Sequence, residues 1–146
     1  VRRSVGRLRW IGENAERREA PPTIELRVGD ERSFGEFRLR ARHARGRSAG
    51  RPTHWRALFD AESVSAVLVV RAPRPGDRIR PHGLGGTKKL QDVFVDAGVE
   101  RERRADYPVV VAGEEIVWVP GLVRGEAALL TANTRHVLAV ECMPAR

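Results

Sequence analysis

The amino-acid sequence predicts an α+β domain built mainly of antiparallel strands. Several short runs alternate apolar and polar residues with a period of two. Only one run, through Leu90, Val93, Phe94 and Ala97, repeats its apolar residues at the i, i+3, i+4, i+7 spacing of a helix. Turn residues such as Gly29 with Asp30, Gly113 with Glu114 and Pro120 with Gly121 separate the alternating runs, as hairpin-linked strands require. At 146 residues the chain is long enough for one core of ordinary size. The expected division is a lead-in over residues 1–22 and a main domain over 23–146, with a subdivision near 72 left open.

In chain order, residues 1–22 mix Arg and Glu around Leu8, Trp10 and Ile11 and close on Pro21 and Pro22, which marks a linker. A short edge strand through Val5, Arg7 and Arg9 is compatible with its alternation. Ile24, Leu26 and Val28 form the first clear half-buried strand. Phe37, Leu39 and Ala41 form the second, with Arg38, Arg40 and Arg42 as a row on its other face. Residues 45–53 have the glycine and proline content of a mobile loop. Strands follow at 55–59 and 64–70, the latter apolar on both faces and so expected at the centre of a sheet. The amphipathic helix is expected near 87–97, with Thr87 as N-cap and Gly98 as terminator. A short helix near 100–106 stops at Tyr107 and Pro108. The remaining strands lie at 109–111, 116–119 and 137–141, with a hairpin around Gly113.

Charge narrows the function classes. The formal net charge is +8, and Arg outnumbers Lys by 25 to 2. A balance this basic points to a polyanion, although the sign alone does not separate RNA, DNA and an acidic membrane. Arg suits phosphate and base stacking, but a GC-rich genome produces the same bias, so the ratio is not independent evidence. Cys142 is the single cysteine, and no segment reads as an export signal, so a cytoplasmic, reducing compartment is expected. The longest apolar stretch, residues 66–70, falls far short of the roughly 20 residues a bilayer span needs, so no membrane partner is expected. The chain starts at Val1 rather than Met and reads as a fragment of a larger protein.

Nothing in the sequence assembles an acid, a base and an electrophile. Gly83, Gly85 and Gly86 fail the P-loop pattern, because Thr87 separates Gly86 from Lys88, and fail the dinucleotide pattern, because Lys88 stands at the third glycine position. His43, His54, His82 and His136 lack metal-ligand spacing. Cys142 sits in an apolar strand, where a buried inert thiol is usual, and Glu114 with Glu115 fall in a turn. No catalytic, cofactor or metal residue is assigned.

The basic residues are the better candidates. From Arg71 to Lys89 four Arg and two Lys face a single acid, Asp77, within a loop that flows into the helix start. Arg71, Arg74, Arg78, Arg80, His82, Lys88, Lys89 and Gln91 are therefore candidates for nucleic-acid binding, the lysines at the helix N-terminus. Arg101 and Arg104 join them, although interleaving with Glu100 and Glu102 also suits a solvated helix face. Local pairing of Arg78 with Asp77 is a structural alternative.

Residues 74–122 carry a recurring set of motifs: PGDR at Pro75 to Arg78, R-P-x-G at Arg80 to Gly83, G-T-K-K-L-x-D at Gly86 to Asp92, R-x-x-R at Arg101 to Arg104, and W-V-x-G at Trp118 to Gly121. T-x-x-T-R-H-V-L, Thr131 to Leu138, extends the set, while residues 1–50 fit loosely. In this order the motifs resemble the C-terminal domain of bacterial tRNA(Ile)-lysidine synthetase. The resemblance implies a sandwich-like α+β fold related to a domain of the phenylalanyl-tRNA synthetase β-subunit, and a module that grips tRNA(Ile). Contact is expected at the acceptor stem through phosphates, because the A-form major groove is too narrow for side-chain readout. The family attaches lysine to the wobble cytidine in an ATP-dependent reaction. Its chemistry, with ATP and Mg, belongs to a PP-loop domain whose S-G-G-x-D-S motif is absent here, so this chain is expected to be inactive alone. A homodimer stays open. Two other readings compete: a basic protein-interaction or structural domain with no RNA role, and a complete enzyme holding phosphates on its glycine loop.

Overall fold

The computed structural model describes residues 20–45 and 49–144. The expected lead-in lies outside them up to residue 19, including the strand through Val5, Arg7 and Arg9. Eleven strands and two helices follow one another: β1 (Ile24–Arg27), β2 (Glu31–Phe34), β3 (Phe37–Arg45), β4 (Arg56–Asp60), β5 (Val67–Arg71), β6 (Arg78–Ile79), β7 (Lys88–Lys89), α1 (Leu90–Asp96), α2 (Arg101–Arg104), β8 (Val109–Ala112), β9 (Glu115–Val119), β10 (Val123–Arg124) and β11 (His136–Pro144). The larger sheet runs β1-β5-β8-β9-β6-β7, with β10 also on β9, and the smaller runs β2-β3-β11-β4. All pairings are antiparallel except the short parallel pairing of β6 with β9 at Ile79 and Ile116.

Alternation decides which side of each strand is buried. Leu39 and Ala41 of β3, with Phe59 of β4 and Leu138, Val140 and Cys142 of β11, turn inward from the small sheet. They meet Ile24, Leu26, Leu68, Val70, Val110 and Trp118 from the large one. The other face of the large sheet carries Ile79, Val109, Val111, Ile116 and Val119, and α1 covers it with Leu90, Val93 and Phe94. The molecule is thus a sandwich with a helical layer on the outer face of one sheet. β8 reads as an unbroken apolar run because its Val110 enters one core while Val109 and Val111 enter the other.

Several expected boundaries shift. The arginine row of β3 is present, but Arg38 pairs with Glu31 and Arg40 with Glu141. Within the expected loop over 45–53, Arg45 belongs instead to the β3–β11 ladder, opposite His136, and Ala49 is buried. Val64 lies in the turn after β4, its N–H on the Asp60 carbonyl, so β5 starts only at Val67.

The largest correction concerns the helix start. Thr87 does not cap α1. The N-cap position is Lys89, with no side-chain cap bond, and Lys88 and Lys89 form β7 against β6, in the register Arg78 to Lys89 and Ile79 to Lys88. The Leu90 N–H is instead taken by the carbonyl of Asp77. Gly98 ends the helix as expected: its φ is 73°, its N–H donates to Val95 and that of Val99 to Phe94, which is a Schellman closure. Ala97, at the end of the apolar stripe, is exposed at the C-cap.

Candidate nucleic-acid interface

The loop over residues 72–77 owes its shape to Asp77. Both carboxylate oxygens accept from the Arg71 guanidinium at 2.9 and 3.0 Å, and Oδ2 also accepts the Arg74 N–H at 2.7 Å. The two side chains of the pair are 11% exposed each, and Arg71 also donates to the Ala72 carbonyl. Arg71 therefore holds the loop onto the end of β5, its charge offset by Asp77 rather than presented to solvent. Arg78 does not join this pair. Its Nε and Nη2 donate to the Thr87 hydroxyl at 3.2 and 3.1 Å, which fixes the guanidinium across the β6–β7 ribbon.

The ribbon sorts the remaining cations by strand periodicity. Arg78 and Arg80 stand on the exposed side while Ile79 between them is buried, and Lys89 lies opposite Arg78 in the ladder. Lys88 falls opposite Ile79, and its ammonium pairs with Asp96 of α1. Among the described residues no carboxylate comes within ion-pair distance of Arg74, Arg78, Arg80 or Lys89.

Five of the ten candidates, Arg74, Arg78, Lys89, Gln91 and Arg104, line one cleft of about 370 Å³ between the 73–78 loop and the two helices. Leu90 and Phe94 also line it. Arg104 reaches it from α2, with Nε donating to the Val99 carbonyl at 2.9 Å and its guanidinium carbon 5.9 Å from the centre of the Phe94 ring. Tyr107 steadies this corner. Its ring meets Phe94 edge-on at 5.5 Å, its hydroxyl donates to the Pro120 carbonyl at 2.6 Å, and burial pushes its pKa up to about 12.

The other candidates lie apart. His82 is exposed and lines a separate pocket of about 300 Å³ beside Arg124 and Trp118. Arg101 is exposed on α2 and does not line the cleft. The glycine cluster opens into β7 rather than into a helix, and a Cβ at Gly83, Gly85 or Gly86 would meet nothing within 4 Å. The direct passage from glycine loop to helix N-terminus that a P-loop requires is therefore not formed at these residues.

Sequence reasoning missed Arg124, which works internally. Its guanidinium lies 4.1 Å from the Phe59 ring centre and donates to the carbonyls of Gly125, Ala127, Ala128 and Leu58, sewing the loop after β10 to β4. Burial lowers its pKa to about 10, which leaves it charged at neutral pH. No local signal separates this arginine from its exposed neighbours, since all four acceptors are backbone oxygens. Cys142 is buried, and burial pushes its thiol up to about 12.

Comparison with known proteins fits this architecture. Over 82 residues the chain is 46% identical to a tRNA(Ile)-lysidine synthase of Symbiobacterium thermophilum and 42% identical to one of Geobacter sulfurreducens. Each match takes in 56% of this chain and 17% of the relative, so the chain corresponds to about a sixth of the length of these curated relatives. A crystal structure of a TilS C-terminal domain superposes with a TM-score of 0.75 at 25% identity, over 86% of this chain and 99% of that one. An N-terminal fragment of the phenylalanyl-tRNA synthetase β-subunit from Pyrococcus horikoshii shares the fold, with a TM-score of 0.53 at 14% identity over 62% of this chain and 28% of that one. The family model for the TilS substrate C-terminal domain matches residues 68–141, just over half of the chain and every residue that lines the cleft, and the chain belongs to that family.

Proposed function

We propose that this chain is the tRNA-gripping C-terminal region of a tRNA(Ile)-lysidine synthetase, which adds binding but no catalytic group to the parent enzyme. On this reading the parent attaches lysine to the wobble cytidine of tRNA(Ile) in the cytoplasm. ATP and Mg²⁺ act in a PP-loop domain outside this sequence, and residues 23–146 form the binding domain behind a lead-in over 1–22. The observation that carries the reading is the gathering of Arg74, Arg78, Lys89, Gln91 and Arg104 around one cleft, beside the exposed Arg80, with no acid paired to the four loop and ribbon cations among the described residues. These residues come from a loop, a ribbon and two helices. Such a surface suits the phosphates and 2′-hydroxyls of an acceptor stem, which a duplex RNA displays in place of base edges.

The test is a salt titration of the affinity of the 146-residue chain for a tRNA(Ile) transcript. A linear fall of log affinity with log salt is expected, and Arg78→Ala with Lys89→Ala should weaken binding and flatten the slope by about one for each phosphate no longer neutralised. Salt-independent binding overturns the proposal. A stable oligomer in sedimentation with no RNA affinity favours the protein-interaction reading instead.

A further inference from the structure

We propose that the cleft between the 73–78 loop and the two helices holds an unpaired nucleotide, namely one from the single-stranded 3′ end that adjoins the acceptor stem. The inference rests on the tRNA reading above and deepens it: the exposed cations around the cleft meet the backbone of the stem, and the concavity they surround takes the strand end that leaves it. The phosphates of an A-form duplex lie on a convex surface with the bases stacked out of reach, so a flat cationic face suffices to hold them. This site is concave, and its volume of about 370 Å³ lies at the lower end of small-ligand pockets, the size range of one nucleotide rather than a helix.

Its chemistry is divided as a nucleotide is. Arg78, tied to Thr87, and Lys89 stand together at one rim and supply charge for a phosphate. Asp77 also lines the cleft, but Arg71 and the Arg74 N–H already occupy its carboxylate, so it does not repel an anion there. Apolar surface from Pro73, Pro75 and Leu90 supplies a place for a base. Arg104 completes it. Anchored on the Val99 carbonyl and backed by Phe94, its half-buried guanidinium is a fixed plane of the kind on which bases stack. Gln91, exposed at the rim on the first turn of α1, carries both a donor and an acceptor for a base edge.

The affinity of the 146-residue chain is measured at one salt concentration for an intact tRNA(Ile) transcript and for the same transcript lacking its unpaired 3′ nucleotides. Each is measured with the wild type, Arg104→Lys and Gln91→Ala, and thermal melts establish that the variants fold. Trimming should weaken wild-type binding about tenfold, the effect of removing one stacked base. Arg104→Lys keeps the charge but not the plane. It should weaken binding of the intact transcript several-fold and leave the trimmed one unchanged, a non-additivity that marks direct coupling. Equal affinity for the two transcripts overturns the inference while leaving the tRNA reading standing, as does an equal loss on both from Arg104→Lys and Gln91→Ala. Failure of the intact transcript to bind the wild type overturns both.

Discussion

Glu141 is the acid that holds the middle of the β3 arginine row, Arg40, together with Arg56 of β4. It lies in β11 between β3 and β4, 13% exposed, and receives Arg40 from one neighbouring strand and Arg56 from the other, the latter at 2.9 Å. Hydrogen bonding from Arg40, then from Arg56, holds its carboxyl below the ordinary value of 4.5 despite burial, which acts the other way. A carboxyl depressed in the folded state stabilises the fold above its unfolded pKa, and that contribution is lost as pH falls through the folded value. Urea midpoints of the wild type should therefore drop as pH is lowered from about 4.5 toward 3. Glu141→Gln should start lower at neutral pH and show a flatter profile over that window. Parallel profiles would mean that Glu141 is not the acid-sensitive group. The partner choices of Asp77 and Glu141 illustrate what one dimension hides. Asp77 is adjacent to Arg78 in sequence and pairs with Arg71, six residues away, because the loop folds back on the end of β5. Arg40 and Glu141 are 101 residues apart and meet through strand register alone.

At the scale of elements, α1 is a seven-residue helix without a side-chain cap, so its stability comes from Leu90, Val93 and Phe94 in the core and from its C-terminal closure. Gly98 has a φ of 73°, where a Cβ is strained although no neighbour would touch it. Gly98→Ala should cost about 1–2 kcal/mol in chemical denaturation. Thr87→Ala should cost under about 0.5 kcal/mol, since its hydroxyl serves exposed Arg78 rather than the roughly 1 kcal/mol duty of an N-cap. An N-cap-sized loss at Thr87 would contradict the β7 assignment. The strands found from sequence carry an apolar alternation or an apolar run, such as β3 and β8, while β2 buries only Phe34 and β6, β7 and β10 are two residues each, so none of these four shows either signal. That limit reached the candidate site directly. Lys88 and Lys89 looked equivalent as a helix start, yet on a strand neighbouring side chains face opposite ways, and only Lys89 lines the cleft while Lys88 pairs with Asp96.

The whole molecule is tied together by long-range pairing. β1 adds the start of the described chain to a sheet otherwise drawn from residues 67–124, and β11 inserts its end between β3 and β4. Both sheets contribute to one shared core, so neither face of the sandwich can open without exposing the other. The helical layer has its own cluster, but β5, β8 and β9 belong to both, with Val110, Val117 and Trp118 on one side and Val109, Val111, Ile116 and Val119 on the other. A single cooperative transition follows, even though the matched family region begins only at residue 68. Phe59 and Phe94 make the test, because both are at most 2% exposed and lie in different clusters, on opposite sides of the large sheet. Phe59→Ala and Phe94→Ala should each destabilise by about 3–5 kcal/mol, shifting the urea midpoint with an unchanged slope. Tryptophan fluorescence and circular dichroism should trace the same curve in both variants. If Phe94→Ala melts the helical layer in a separate step while the sandwich stays folded, the cleft would be a marginally held appendage. On the proposed tRNA reading, affinity for the transcript would then weaken at denaturant concentrations that leave the sheets intact.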